Sequence, residues 1–203
     1  MNNSNFIRLS SWAFIIGAIA FLPASILQLD YESRTISPLM INTFFWAPLL
    51  LVVGLLGLRV RYKIGSGVLL FGAIGGGLLL IVGILGQSLA PYYSVAATYF
   101  GVWMGGLLVL HICLFIFGIV MFIKKTLPRW NWIPLFAGMW VPILMLLAVI
   151  LGGNMVDSPS SNLEKNTVTA IFVTMTVAQV LLGYMLQADV TDDLETSQQG
   201  QPA

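Results

Sequence analysis

Six long apolar stretches carry none of the chain's charges. They are Trp12–Leu29, Leu39–Leu58, Ile64–Ala90, Ala97–Ile123, Trp132–Gly152 and Thr167–Leu186, and all nine Lys/Arg and all eight Asp/Glu fall outside them. A helix needs about 20 apolar residues to cross a hydrocarbon core about 30 Å thick. A charge at the centre of such a helix costs at least ~2.5–3.5 kcal/mol. This segregation therefore predicts an all-α integral membrane bundle of six transmembrane helices, occupying residues 1–188.

Composition removes the competing classes. Charged residues make up 8% of the chain, where a soluble domain carries about 25%, so a soluble globular protein is excluded. A hydrophobic share of 58% excludes a disordered chain, and a net charge of +1 gives nucleic acid nothing to bind. Cys113 is the sole cysteine, which excludes an internal disulfide and a thiolate metal cluster.

The basic residues set a direction. Arg8, then Arg59, Arg61 and Lys63, then Lys124, Lys125 and Arg129 share one side if the spans alternate, leaving Arg34 and Lys165 on the other. The positive-inside rule then puts both termini in the cytoplasm. Arg8 before an apolar run also fits a signal peptide. The run reaches Leu29 without a clear small-x-small cleavage site, which favours a retained first span. Short loops predict sequential helices that are antiparallel neighbours. The acidic segment 189–203, rich in Gln and Ser, reads as a disordered cytoplasmic tail, and Asn154–Asn166 as a polar loop.

Helices in lipid gain nothing by hiding apolar surface, so close packing and polar pairing must hold them together. Gly72 and Gly76, and likewise Gly101 and Gly105, stand in GxxxG spacing. They predict that spans three and four pack face to face, with span three near the bundle centre; a homodimer seam is the alternative. Pro23, Pro48 and Pro142 fall near mid-membrane and free the carbonyls of Ile19, Phe44 and Gly138. Broken helices of this kind surround transporter sites, although neighbours often re-satisfy such backbone. Trp12, Trp130 and Trp132 at one end, with Tyr31, Tyr92, Tyr93 and Tyr99 at the other, read as interfacial anchors. Trp46, Trp103 and Trp140 lie deeper, as core or lipid-facing volume.

Only His111 within the spans titrates near neutrality. An intramembrane ionisable group is a functional candidate, and its partners are suggested by the stripe Thr169, Thr176, Gln179, Gly183 and Gln187 on span six. The polar interior candidates are thus His111, Thr176 and Gln179, with Thr174–Thr176 at the matching depth. A neutral imidazole needs one acceptor and one donor, which a threonine hydroxyl or glutamine amide supplies. The favoured reading is a hydrogen-bonded packing histidine; a ligand contact, to a quinone oxygen or a pigment metal, is the functional alternative. One histidine cannot make bis-His haem ligation, and no intramembrane carboxylate completes a zinc site or proton relay. HExxH and Gly-x-Ser-x-Gly are missing. Cys113, two residues from His111, diverges from it on a helix.

The junction Leu127-Pro128-Arg129-Trp130, within Gly118–Gly138, resembles junctions in uncharacterised bacterial multi-pass inner-membrane proteins. The resemblance covers about a tenth of the chain and implies a bacterial inner (plasma) membrane setting, with no activity attached. The expected function is that of a non-catalytic structural or accessory subunit packing against lipid or other membrane subunits, without cofactor or metal. The alternatives are a small carrier for an uncharged or lipid-like solute, with a cavity beside Pro23, Pro48 or Pro142, and a cofactor- or quinone-binding subunit using His111.

Overall fold

Hydrocarbon offers a peptide group no hydrogen-bond partner, so each group must be satisfied inside its own segment. Among the described residues the chain forms helices and no strands. The computed structural model describes residues 3–29, 38–89, 93–125, 132–150 and 162–199. In order come α1 (Asn3–Leu29), α2 (Pro38–Trp46), α3 (Pro48–Arg61), α4 (Ser66–Phe71), a π-helical turn (Gly72–Gly76), α5 (Gly77–Leu89), α6 (Tyr93–Lys124), α7 (Ile133–Ile150) and α8 (Asn162–Gln199).

Among the described residues five segments are long and apolar enough to cross a membrane: Asn3–Pro23, Asn42–Arg61, Ser66–Leu89, Thr98–Lys124 and Asn166–Ala188. The fifth expected stretch contributes the shorter apolar helix Ile133–Leu147. The Leu127–Trp130 junction and residues 151–161 lie outside the described residues. Two helices overrun their apolar stretches. α6 already begins at Tyr93, and α8 continues to Gln199, through most of the segment expected to be a disordered tail. Once a helix is nucleated, each further residue adds a hydrogen bond at little cost.

The helices close into a ring in chain order: α1 against α3, α3 against α4 and the π turn, these and α5 against α6, α6 against α7, α7 against α8, and α8 back against α1. Contacts along each pair run antiparallel. Gly57 meets Ser10 while Gly54 meets Phe14, and Gly72 meets Cys113 while Gly83 meets Trp103. Gly65 approaches Phe117, and Gly57 approaches Leu186. One end of the ring thus gathers the start of α1, the α3–α4 turn and the ends of α6 and α8. Gly65 makes that turn, with φ +72°, a conformation open to residues without a Cβ.

Backbone contact sets the helix spacing. A Cβ on Gly118 would overlap the Leu135 backbone, and one on Gly138 would overlap that of Phe115. On α6 the glycine that meets the third span is Gly106, against Gly76 O and Leu80, while Gly101 and Gly105 have nothing within 4 Å. The expected Gly101/Gly105 face is therefore on the wrong side, because one residue turns a helix by about 100°. Span three is also not central. Leu78, Ile81, Val82 and Leu85 of α5 are exposed, whereas α6 touches α3, α4, the π turn, α5 and α7.

Pro48 is the proline that interrupts a helix. Ala47 forms a turn between α2 and α3, and Leu50 N donates to Ala47 O at 3.0 Å, shortening the ladder to a three-residue step. Pro23 and Pro142 remain inside continuous helices.

Gly118→Ala is expected to lower stability by about 1–3 kcal/mol, the usual cost of overpacking, because rigid backbone stands where its methyl would go. Gly101→Ala, on the open face, should stay within about 0.5 kcal/mol of the parent. Detergent-denaturation curves of the purified variants check both values.

Candidate functional site

The break at Pro48 shapes the interior. It strips the end of α2 of helical partners, and the Trp103 indole N–H from α6 donates to Phe45 O at 3.1 Å. Trp103 is wholly buried. Around it the half of the ring away from the basic end is aromatic. Phe44 lies 4.9 Å from Trp103 and stacks on Phe21 at 5.3 Å, while Phe172 meets Phe21 edge-on at 5.9 Å. Edge-to-face and offset contacts of this kind hold rings at fixed separations.

Inside this collar the helices do not fill the space. Gly17 of α1 packs close against Leu50 and the Ala47 carbonyl where α3 begins, and Phe21 and Leu51 reach the wall from the same two helices. A cavity of about 50 Å³ remains. Its wall is formed by Gly17, Phe21, Phe44, Pro48 and Leu51, by Phe100 to His111 on one face of α6, and by Val141, Leu144, Phe172, Met175 and Gln179. Among the described residues the wall carries no Asp, Glu, Lys or Arg.

Two polar side chains close its inner end. His111 and Gln179 are each 2% exposed. They also line a second void of about 10 Å³, bounded by Phe14, Leu51, Leu55, Leu110 and Leu114. The pair thus partitions the ring interior. α6 and α8 are not packed neighbours, since α7 stands between them, so the contact is a strut across the ring.

The hydrogen bonds of the pair have one consistent assignment. His111 Nδ1 lies 2.9 Å from Leu107 O, one turn back on α6. A carbonyl only accepts, so Nδ1 carries the proton and Nε2 of the neutral ring is an acceptor. Gln179 Nε2 lies 3.1 Å from His111 Nε2 and donates to it. The opposite amide orientation would set Gln179 Oε1 against the Nε2 lone pair.

Of the two candidate partners, Thr176 and Gln179, it is Gln179 that meets His111, about one turn beyond the depth match at Thr174–Thr176. Thr174 instead donates back to Ala170 O at 2.6 Å. Thr176 is buried, and its hydroxyl makes no hydrogen bond among the described residues, as is true of Trp140 Nε1. Toward the basic end, Ser11 Oγ donates to Gly183 O at 2.9 Å, joining α1 to α8. Cys113 turns away from His111 and packs against Gly72. Among the described residues no group of three or more His, Cys, Asp and Glu comes together to hold a metal.

Neither the aromatic collar nor the Ser11–Gly183 bond was legible in the sequence. Single phenylalanines in an apolar run carry no mark of facing inward, and no serine signals a backbone acceptor on a helix so far away in the chain.

Fold and site together define a membrane protein that is helical throughout its described spans, with an interior cavity whose described lining is uncharged. No protein-family model matches the chain, and neither a curated protein nor a solved structure matches it.

Gln179→Leu leaves His111 Nε2 buried without a donor and is expected to cost about 1–3 kcal/mol. His111→Leu combined with Gln179→Leu should cost less than the two single changes summed, because no polar group is then stranded. A double-mutant cycle on unfolding free energies reads the difference, and strict additivity would mean that the strut does not form.

Proposed function

We propose that the chain is a small non-catalytic carrier that takes an uncharged or lipid-like solute into the space between its helices. The observation that carries this reading is the cavity beside Pro48. Binding sites in helix bundles are concave, mostly apolar and furnished with a few convergent polar groups, and this one has aromatic and aliphatic walls with a single His–Gln pair. An ion is a poor cargo, since no described residue of the wall compensates a buried charge.

Six spans with both termini in the cytoplasm remain the proposed topology, in a bacterial inner membrane as the Leu-Pro-Arg-Trp junction suggests. Packing supports the topology by gathering Arg8, Arg59, Arg61, Lys63 and Lys124 at one end of the ring, which the positive-inside rule assigns to the cytoplasm. The cavity then lies in the outer half, and the His111–Gln179 pair closes it toward the cytoplasm.

One observation favours the accessory-subunit reading. Gly101 and Gly105 lie one turn apart on α6 and meet nothing within 4 Å, an open small-residue face of the sort that lets another helix approach. A partner retained in native mass spectrometry and lost on Gly105→Leu would support it.

The carrier reading is tested by filling the cavity. In nanodiscs, N-phenyl-1-naphthylamine should bind the wild type saturably above empty discs, and Val141→Phe should weaken binding at least about tenfold while α-helical circular dichroism is retained. Equal signals from wild type, variant and empty discs would overturn the reading.

Topology is checked by cysteines placed at Lys63 and Glu164. Under the proposed orientation an impermeant maleimide labels position 164 in intact cells and position 63 only after permeabilisation, with buried Cys113 silent.

A further inference from the structure

The basic end of the ring is uneven in height. Gly57 of α3 meets Ser10 and Leu186, so these three mark one level. From there α3 ends four residues on at Arg61, while α1 runs seven residues to Asn3 and α8 thirteen to Gln199. Gly65, in the turn that follows α3, meets Phe117, and the Tyr62 ring lies 6.2 Å from that of Phe117. α6 continues seven residues past Phe117, to Lys124. At 1.5 Å per residue these neighbouring helices run on for about 10–20 Å, and α3 for only about 6 Å. The α3–α4 turn is therefore the floor of a recess in the rim.

Its cations come from two elements. Lys63 belongs to the floor. On α6, Phe117, Met121 and Lys124 follow one another at helical spacing, so Lys124 stands above the floor on the face that meets the turn. Lys125 ends α6 at φ +49°, in the left-handed turn usually given to glycine. All three lysines are exposed and form no ion pair among the described residues. Ile64, beside Lys63, and Phe122 and Ile123, before Lys124, are exposed apolar side chains. The other side of the same end, with Arg8 and Arg59, shares its charge with the extension of α8. That helix packs on α1 and α7, and the sequence places Asp189, Asp192, Asp193 and Glu195 in its extension. The α4–α6 side has no such carboxylates among the described residues.

We propose that this recess holds the headgroup of an anionic phospholipid, its phosphate between Lys63 and Lys124 and its acyl chains against Ile64, Phe122 and Ile123. Lysine binds phosphate as a point charge, and its apolar stem lies along hydrocarbon while the ammonium reaches the headgroup level. Cations beside a membrane span concentrate anionic lipid, each by about fivefold. A choline headgroup carries its own cation next to the phosphate and gains little from the lysines. In the proposed topology the bound lipid belongs to the cytoplasmic leaflet. The inference makes no use of the interior cavity and stands or falls separately from the carrier reading.

The test is native mass spectrometry of the full chain in detergent with equal amounts of dioleoylphosphatidylglycerol and dioleoylphosphatidylcholine. The wild type is expected to retain one phosphatidylglycerol at least about fivefold over phosphatidylcholine. Lys63→Gln with Lys124→Gln should bring that preference within about twofold. Arg8→Gln with Arg59→Gln removes as much charge from the other side of the same end, and should leave the preference above about fivefold. All four side chains are exposed, and the wild-type ratio stands without the variants. Equal retention of the two lipids by the wild type overturns the site. Equal losses in the two double variants overturn it too, since the effect then belongs to the whole positive end. Displacement of the retained lipid by inorganic phosphate makes the occupant a soluble phosphate and overturns the lipid.

Discussion

Two apolar helices in lipid have no reason to leave lipid for each other, so association must come from contacts that hydrocarbon tails make less well. Here those contacts are backbone against backbone. Gly118 and Gly138 let α6 and α7 approach until peptide groups meet, and Gly76, Gly83 and Gly106 do the same between α6 and the third span. Around α1, Gly183 meets the Ser11 carbonyl, while Gly54 and Gly57 leave room for the Phe14 ring and the Ser10 side chain. Every seam of the ring from α8 through α1 to α7 is set by a residue without a side chain. A ring of helices this close in pairs has a middle, and what fills that middle decides what the protein can do.

The middle is filled unevenly. Toward the basic end Phe14, Leu55, Leu110, Phe117 and Leu182 are fully or almost fully buried, and the core there is dense. In the half away from the basic end the aromatic rings brace against one another beside the Pro48 break, and space remains. The His111–Gln179 strut lies at the boundary. A polar bond between helices that do not otherwise pack costs little to break once either partner finds a substitute, which makes the boundary a natural place for a ligand's polar group and for movement.

The helical character, the apolar segments and the antiparallel chain-order packing were legible because lipid acts on each residue separately. Charge is expelled, backbone is satisfied locally, and both demands leave marks in the linear pattern. His111 was legible for the same reason, as the lone titratable group between charge-free flanks. Its partner was only half legible. The stripe on the last span includes Gln179, but depth counting pointed to Thr174–Thr176, because α8 runs on well past its apolar stretch and its level in the ring is set by seams such as Ser11–Gly183. The face of α6 was misjudged as well. Gly101/Gly105 and Gly106 are all present in the sequence, and spacing alone cannot say which side of a helix meets its neighbour.

What the chain's residues determined by themselves is the solvent they can live in and the local structure it requires. Apolar runs without charge become helices in hydrocarbon whatever surrounds them, since unsatisfied peptide groups there are too costly. Tertiary structure alone decided the cavity, the collar and the orientation of the His111–Gln179 pair. Each depends on how far two backbones can approach and how one helix is rotated against another, and those quantities belong to pairs of helices and to no single stretch of sequence.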